Sequence, residues 1–231
     1  MILLLIYPCS SDLIRVQIQI LLSVLGDYAD KGCLPMQKND IAAYAVVERL
    51  RDGRQVTVRA IRPDDKEHLA GTLRELSAES FYRRTFSPKR VLSDTELKQL
   101  AEVDFVNVVA LVAVMNEEGE DRIVGGCRYL RTGSAAAGPI AEVAFLVDDE
   151  HQGLGIGSRI FRHLVAIARA AGIGQFEAEV LPSNESMLRL FERSGLPVAR
   201  SASREAVHVT IELAEAGKPV QDRSNAPGGA P

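Results

Sequence analysis

The segment Val147-Asp148-Asp149-Glu150-His151-Gln152-Gly153-Leu154-Gly155-Ile156-Gly157-Ser158 constrains the fold more than any other stretch. It leaves an apolar run at residues 141–147 and enters a helical pattern with apolar positions at Ile160, Phe161, Leu164, Val165 and Ile167. Three glycines at alternate positions let the backbone approach a ligand closely and adopt dihedrals that a Cβ forbids. The first amides of the following helix have no intrahelical partners, and the helix dipole adds positive potential there. A strand, such a loop and a helix in that order form a cradle of N–H groups for a phosphate or pyrophosphate.

The spacing narrows the ligand. Gly153, Gly155 and Gly157 do not meet the dinucleotide pattern, which needs a wider last gap, and no Gly-Lys-Ser/Thr is present for a nucleotide-triphosphate loop. Composition adds exclusions. The 231 residues are 46% hydrophobic and 25% charged with net charge -4, as in an ordinary soluble protein. Nothing in that balance draws the chain towards nucleic acid or an anionic membrane, whereas a small cationic substrate or a lysine side chain suits it. Cys9, Cys33 and Cys127 follow no metal-ligand spacing, and their odd number argues against a disulfide framework. His68, His151, His163 and His208 are scattered, so no metal is expected, and a reducing cytoplasm is the expected compartment. The apolar stretch at residues 13–25 is broken by Arg15, Gln17, Gln19 and Ser23, too often for a membrane span.

The remaining pattern is α/β with a mixed sheet. Val56, Val58 and Ala60 mark a strand after the Asp52-Gly53 turn, and Pro63-Asp64-Asp65 opens a helix with Leu69, Leu73 and Leu76 on one stripe. Ser93 and Glu96 form a capping box for another helix. Residues 106–114 and 123–130 read as a hairpin joined by a loop at 116–121, with a flexible turn at 133–139. Strands follow at 141–147, 176–181 and 207–213, with helices at 157–171 and 184–194. Residues 1–50 read as an N-terminal extension whose first 35 residues are an over-extended start or a poorly packed leader. Residues 51–213 form the domain, and 214–231 a disordered tail.

The order strand, Gln152-x-x-Gly155-x-Gly157, helix, strand, Asn184 resembles the GNAT superfamily of acyl-CoA-dependent N-acyltransferases, over residues 56–213. Within it the chain is most similar to the acetyltransferase domain of Pat-type protein lysine acetyltransferases. The segments that carry this are Ile61-Arg62-Pro63-Asp64-Asp65, Leu76-Ser77-Ala78-Glu79-Ser80, Ile123-Val124-Gly125-Gly126-Cys127-Arg128-Tyr129 and Ala141-Glu142-Val143-Ala144-Phe145. The resemblance implies an α+β fold whose mixed, mostly antiparallel sheet is flanked by helices and splayed to admit acyl-CoA. It implies acetyl-CoA as cosubstrate and an amine acceptor, a protein lysine first, in a monomer or homodimer. By the same resemblance Phe145, Leu146 and Val147 offer backbone groups to the pantetheine arm. Gln152, Gly153, Leu154, Gly155, Ile156, Gly157 and Ser158 hold the pyrophosphate, and Asn184 reaches the pantetheine or thioester.

Acetyl transfer needs a neutral nucleophile. A lysine amine, with a pKa of about 10.4, costs roughly 4–5 kcal/mol to deprotonate at pH 7. A general base can remove that proton, and a strand amide can polarise the thioester carbonyl. Two glutamates are candidates for the base. Glu142 shares a strand face with Ala144 and Leu146, and the Pat-type resemblance points to it. Glu179 lies on the next strand, where ribosomal-protein N-terminal acetyltransferases keep theirs. Two departures stand out. Leu154 occupies a position usually Arg or Lys in the superfamily, with Arg159 or Arg162 as substitutes, and Phe191 stands where many members place a proton-donating Tyr. These departures leave a non-catalytic acyl-CoA-binding module as an alternative, and because nothing around residues 80–105 and 130–140 names an acceptor, a small-amine acetyltransferase is another.

Overall fold

Residues 109–115 are all buried, so the strand that carries them, β3 (Val108–Glu117), has both faces covered. A continuous apolar run of β-branched and small residues requires that placement. The computed structural model describes residues 37–85, 92–135 and 138–213. Around β3 the strands are β1 (Ala45–Arg49), β2 (Gln55–Ala60), β4 (Glu120–Ala135), β5 (Gly138–Val147), β6 (Gln175–Val180), β7 (Val198–Ala202) and β8 (Val207–Glu212). Their order in the sheet is β1-β2-β3-β4-β5-β6-β8-β7. Every neighbouring pair is antiparallel except β5 and β6. A parallel pair needs a long crossover, supplied here by the glycine loop and its helix.

The helices are α1 (Lys38–Ala42), α2 (Asp65–Glu75), α3 (Ala78–Thr85), α4 (Asp94–Ala101), α5 (Ile156–Ala170) and α6 (Glu185–Glu192). On one face Val109, Leu111, Ala113 and Met115 join Ile156, Ile160, Phe161 and Leu164 of α5 in the main core. On the other, Ala110, Val112 and Val114 meet Leu69 of α2 and Ala101 of α4. The mixed, mostly antiparallel sheet flanked by helices is the architecture expected. Among the described residues no helix is long and apolar enough to cross a membrane.

Several elements depart from the sequence reading. The expected loop at 116–121 is a two-residue turn, with Glu118 at φ 54° and Gly119 at φ 94°, so β3 and β4 run further than expected. Positive φ at both central residues matches the right-handed twist of a tight hairpin. Within the stretch expected as an extension, α1 and β1 belong to the fold: Ile41, Tyr44 and Leu50 are buried in the main core. The Tyr44 hydroxyl hydrogen-bonds His163 Nδ1 on α5, and His163 Nε2 lies 3.1 Å from Glu48 Oε1. Burial pushes the His163 pKa down. A neutral ring accepts at one nitrogen and donates at the other, as these two partners require. The expected leader at 1–35 and the tail at 214–231 lie outside the described residues. Neither α3 nor β7 was expected; β7 is almost wholly exposed, and its pairing with β8 defines it.

Pairing of buried charge fixes the start of α2. Arg59 of β2 donates two bonds of 2.7 Å to the Asp65 carboxylate, which also accepts the Arg62 N–H at 2.6 Å. Both side chains are nearly inaccessible. The capping box at α4 forms as expected, with Glu96 N–H donating to Ser93 Oγ and Ser93 N–H to Glu96 Oε2. Asp65→Ala strands a buried guanidinium and should cost about 3–5 kcal/mol; urea unfolding of the variant against the parent measures it.

Candidate functional site

The two parallel strands pair only over Ile140–Gln175, Ala141–Phe176 and Glu142–Glu177, although β5 continues to Val147 and β6 to Val180. Beyond that point β5 stays with β4 and β6 with β8, so a wedge opens between them. The phase of the β4–β5 ladder determines which groups face the wedge. Asp148 N–H donates to Val124 C=O, and antiparallel partners exchange bonds at every second residue. Ala144 and Leu146 therefore bond back to β4, whereas the N–H and C=O groups of Val143, Phe145 and Val147 point away from it. The Leu146 carbonyl lies on the β4 side, 3.1 Å from where a Cβ on Gly125 would stand. Of the three residues expected to offer backbone groups to the pantetheine arm, Phe145 and Val147 turn theirs towards the gap and Leu146 turns its own to β4; all three line the cleft.

The wedge is the floor of a cleft of about 910 Å³. Residues 142–147 of β5 and 178–180 of β6 line it, together with Gln152, Gly153, Gly155, Ile156, Gly157 and Ser158 of the loop and Asn184, Met187, Leu190 and Phe191 at α6. Each glycine has its own reason. Gly153 and Gly155 hold φ of 80° and 83°, which side-chain-bearing residues rarely adopt. A Cβ on Gly157 would come within 2.9 Å of Leu190 Cδ1, so its absence lets α6 approach the first turn of α5. Arg159 N–H makes the first intrahelical bond, to Gly155 C=O. The amides of Ile156, Gly157 and Ser158 therefore have no intrahelical acceptor, and the first turn carries no acidic residue to compete with an anion.

The loop is tied to the opposite side of the cleft by one carboxylate. Asp149 accepts Ser77 N–H at 2.8 Å and Ser80 Oγ–H at 2.5 Å from the start of α3, and Gln152 Nε2–H at 2.9 Å. Gln152 is thereby held beside the Val147 carbonyl, 3.4 Å from its Nε2. His151 is buried between Asp148 and Glu117, 2.8 Å from each, so it serves the loop as a strut.

Leu154 turns inward against the main core and does not line the cleft. The two arginines proposed to replace a cation there are committed elsewhere. Arg162 pairs with Glu48 at 2.5 Å; Arg159 donates to Arg49 C=O at 2.7 Å and lies 3.5 Å from Glu48. Arg51, on the turn between β1 and β2, lines the cleft instead. No local spacing singles it out, because only the packing of that turn on α5 brings it there.

Glu142 and Glu179 both line the cleft on the face opposite α5, and both are exposed. Glu179 bonds its cross-strand neighbour His208 at 2.7 Å. Glu142 sits at the last paired position before the strands part, and its carboxylate makes no hydrogen bond or ion pair among the described residues. Asn184 caps α6, its Oδ1 accepting Met187 N–H at 3.3 Å, which leaves Nδ2 without a partner among the described residues. Phe191 is buried against Phe145 and Phe161, with centroids 5.8 and 5.5 Å away. Cys127 is buried 3.7 Å from the Ile160 carbonyl, and burial pushes its thiol pKa up, away from nucleophilic use. Among the described residues no group of His, Cys, Asp and Glu is placed to hold a metal ion.

Gly155→Ala forces a side chain into the left-handed region and its methyl towards Arg159 Nη1, 2.8 Å away. The backbone part alone should cost about 1–2 kcal/mol, visible as a lowered thermal midpoint.

Comparison with known proteins bears directly on these elements. The model of the Acetyltransferase (GNAT) family matches residues 71–196, from within α2 past α6, a span that includes the parted strands and the loop. The chain is 35% identical to Acetyltransferase Pat of Mycolicibacterium smegmatis over 147 residues, 64% of this chain and 43% of that protein. It is 33% identical to Acetyltransferase PA5475 of Pseudomonas aeruginosa over 141 residues, 61% of this chain and 74% of that one. Among solved structures, the GNAT domain of S. lividans PAT superposes with a TM-score of 0.65 at 37% identity, over 73% of this chain and 96% of that one. The chain thus spans less than half of the Mycolicibacterium relative. Because the matched residues span the parted strands and the glycine loop, the chain belongs to the Acetyltransferase (GNAT) family.

Proposed function

We propose that the protein transfers the acetyl group of acetyl-CoA to the side-chain amine of a protein lysine by direct attack, with Glu142 as general base. The observation that carries this reading is the position of Glu142: an unpartnered carboxylate on the cleft wall at the last residue pair before the strands part.

The cleft offers each group the reaction needs. The Phe145 and Val147 amides that face the wedge are donors for the pantetheine arm and for the developing oxyanion of the thioester carbonyl. The Gly153–Ser158 backbone and the start of α5 receive the pyrophosphate. Asn184 Nδ2 is a further donor near the arm. The lysine enters as an ammonium, and an ionised Glu142 draws it in and takes its proton, directly or through water. The neutral amine then attacks the carbonyl carbon, and the C–S bond breaks to release CoA thiolate. Phe191 cannot donate a proton, so the thiolate leaves unassisted, and the second proton shed by the nitrogen as the amide forms passes to the thiolate or to water. Glu179 holds His208 and is assigned to shaping the acceptor side. The resemblance of Ala141-Glu142-Val143-Ala144-Phe145 and its companion segments to Pat-type protein lysine acetyltransferases is what favours a protein lysine over a small amine.

Glu142→Gln should lower kcat with a lysine peptide by about 10²–10⁴-fold and leave acetyl-CoA affinity unchanged by calorimetry. Retained turnover removes Glu142 as the base. Acetyl-CoA consumption faster with a polyamine than with any lysine-bearing protein or peptide removes the lysine reading.

A further inference from the structure

We propose that Arg51 is the cation that pairs with the CoA pyrophosphate at the glycine loop, taking the part that a basic side chain at position 154 would have played. The proposal rests on the reading of the cleft as the acetyl-CoA site and adds to it a residue outside the family-matched span of 71–196.

Three observations converge on Arg51. It lines the cleft beside the loop, with Nε 3.6 Å and Cζ 3.9 Å from the point where a Cβ on Gly155 would stand. Its guanidinium makes no ion pair among the described residues. The one adjacent acid, Asp52, is occupied by Arg54, which donates to it from Nε at 2.7 Å and from the backbone at 3.0 Å. Third, the turn that carries Arg51 is held in place. Leu50 N–H donates to Arg54 C=O at 2.8 Å, Gly53 N–H to Leu50 C=O at 3.1 Å, and the Leu50 side chain is buried in the main core.

Arg159 explains how a turn so far from the loop in sequence comes to serve it. Its guanidinium donates from Nη2 to Arg49 C=O at 2.7 Å and from Nη1 to Gly155 C=O at 3.3 Å, joining the end of β1 to the N-cap of α5. Glu48 completes the fastening through Arg162 and His163. Against the burial that would raise it, these contacts hold the Glu48 carboxyl below its ordinary range, so it remains the anion both arginines need. Arg159 and Arg162 are spent on this joint, and the joint places Arg51, a planar donor suited to phosphate oxygens, beside the free amides of Ile156, Gly157 and Ser158.

The test compares the full chain with R51Q and R51K, using calorimetric binding of CoA and 3′-dephospho-CoA together with turnover of acetyl-CoA and of phosphate-free acetyl-pantetheine. R51Q should weaken CoA and 3′-dephospho-CoA alike by about tenfold. It should leave kcat at saturating acetyl-CoA and kcat/KM for acetyl-pantetheine at the parent values. R51K should recover part of the loss, and the R51Q deficit should shrink as salt rises. Parent-like CoA affinity in R51Q overturns the proposal. An equal loss with acetyl-pantetheine also overturns it, because the turn would then act only on the shape of the cleft. A loss seen with CoA and absent with 3′-dephospho-CoA overturns the pyrophosphate assignment in favour of the 3′-phosphate. A parent chain that binds no CoA defeats the cleft reading itself, and the Arg51 assignment with it.

Discussion

Beyond Glu142 and Glu177 the backbones of β5 and β6 no longer satisfy one another, while each keeps its bonds to the strand on its other side. Buried N–H and C=O groups are costly to leave unpaired, so a sheet that parts in its middle must offer those groups to water or to a ligand. The alternation of an antiparallel ladder then determines that Phe145 and Val147, and not Leu146, present theirs. α5 packs under the gap through Ile160, Phe161 and Leu164 and closes one face. The cleft therefore opens on the other face, where Glu142 and Glu179 stand.

The glycine loop is continuous with that gap, so one chain segment supplies two kinds of donor. β5 contributes amides in extended backbone, and the start of α5 contributes amides freed by helix geometry. An extended ligand with an amide-bearing arm and an anionic end suits that sequence of donors. Asp149 gives the arrangement rigidity across the cleft, because its carboxylate bonds both the Gln152 side chain and the start of α3. The start of α3 and the glycine loop are thus joined through the Asp149 carboxylate.

Charge is distributed in keeping with this geometry. The buried Arg59–Asp65 pair is structural and sets where α2 begins. The Glu48 cluster is also structural, and it brings residues 38–50 into contact with α5. Its partner arginines lie close to Leu154 along the chain, where the sequence makes them candidates to supply the missing cation. The structure assigns them otherwise because an anion on a different strand lies within 4 Å of both.

The local patterns in the chain determined much of what was read from them. The Gln152-x-x-Gly155-x-Gly157 segment between an apolar strand and an amphipathic helix indicated both the cradle and its place in the fold, because strand, loop and helix start are each encoded within a few residues. The Ser93–Glu96 capping box and the stripe of Leu69 and Leu73 were legible for the same reason. Elements with little periodicity of their own, β7 above all, were not. Nor were the joining of α1 and β1 to the domain, the inward turn of Leu154 or the placement of Arg51. These depend on pairing and ion contacts between segments far apart in the chain, and such contacts have no signature in local spacing. Sequence alone identified the family and the glycine loop between strand and helix; only the tertiary structure decided which carboxylate stands free at the parted strands and which arginine is left to face the cleft.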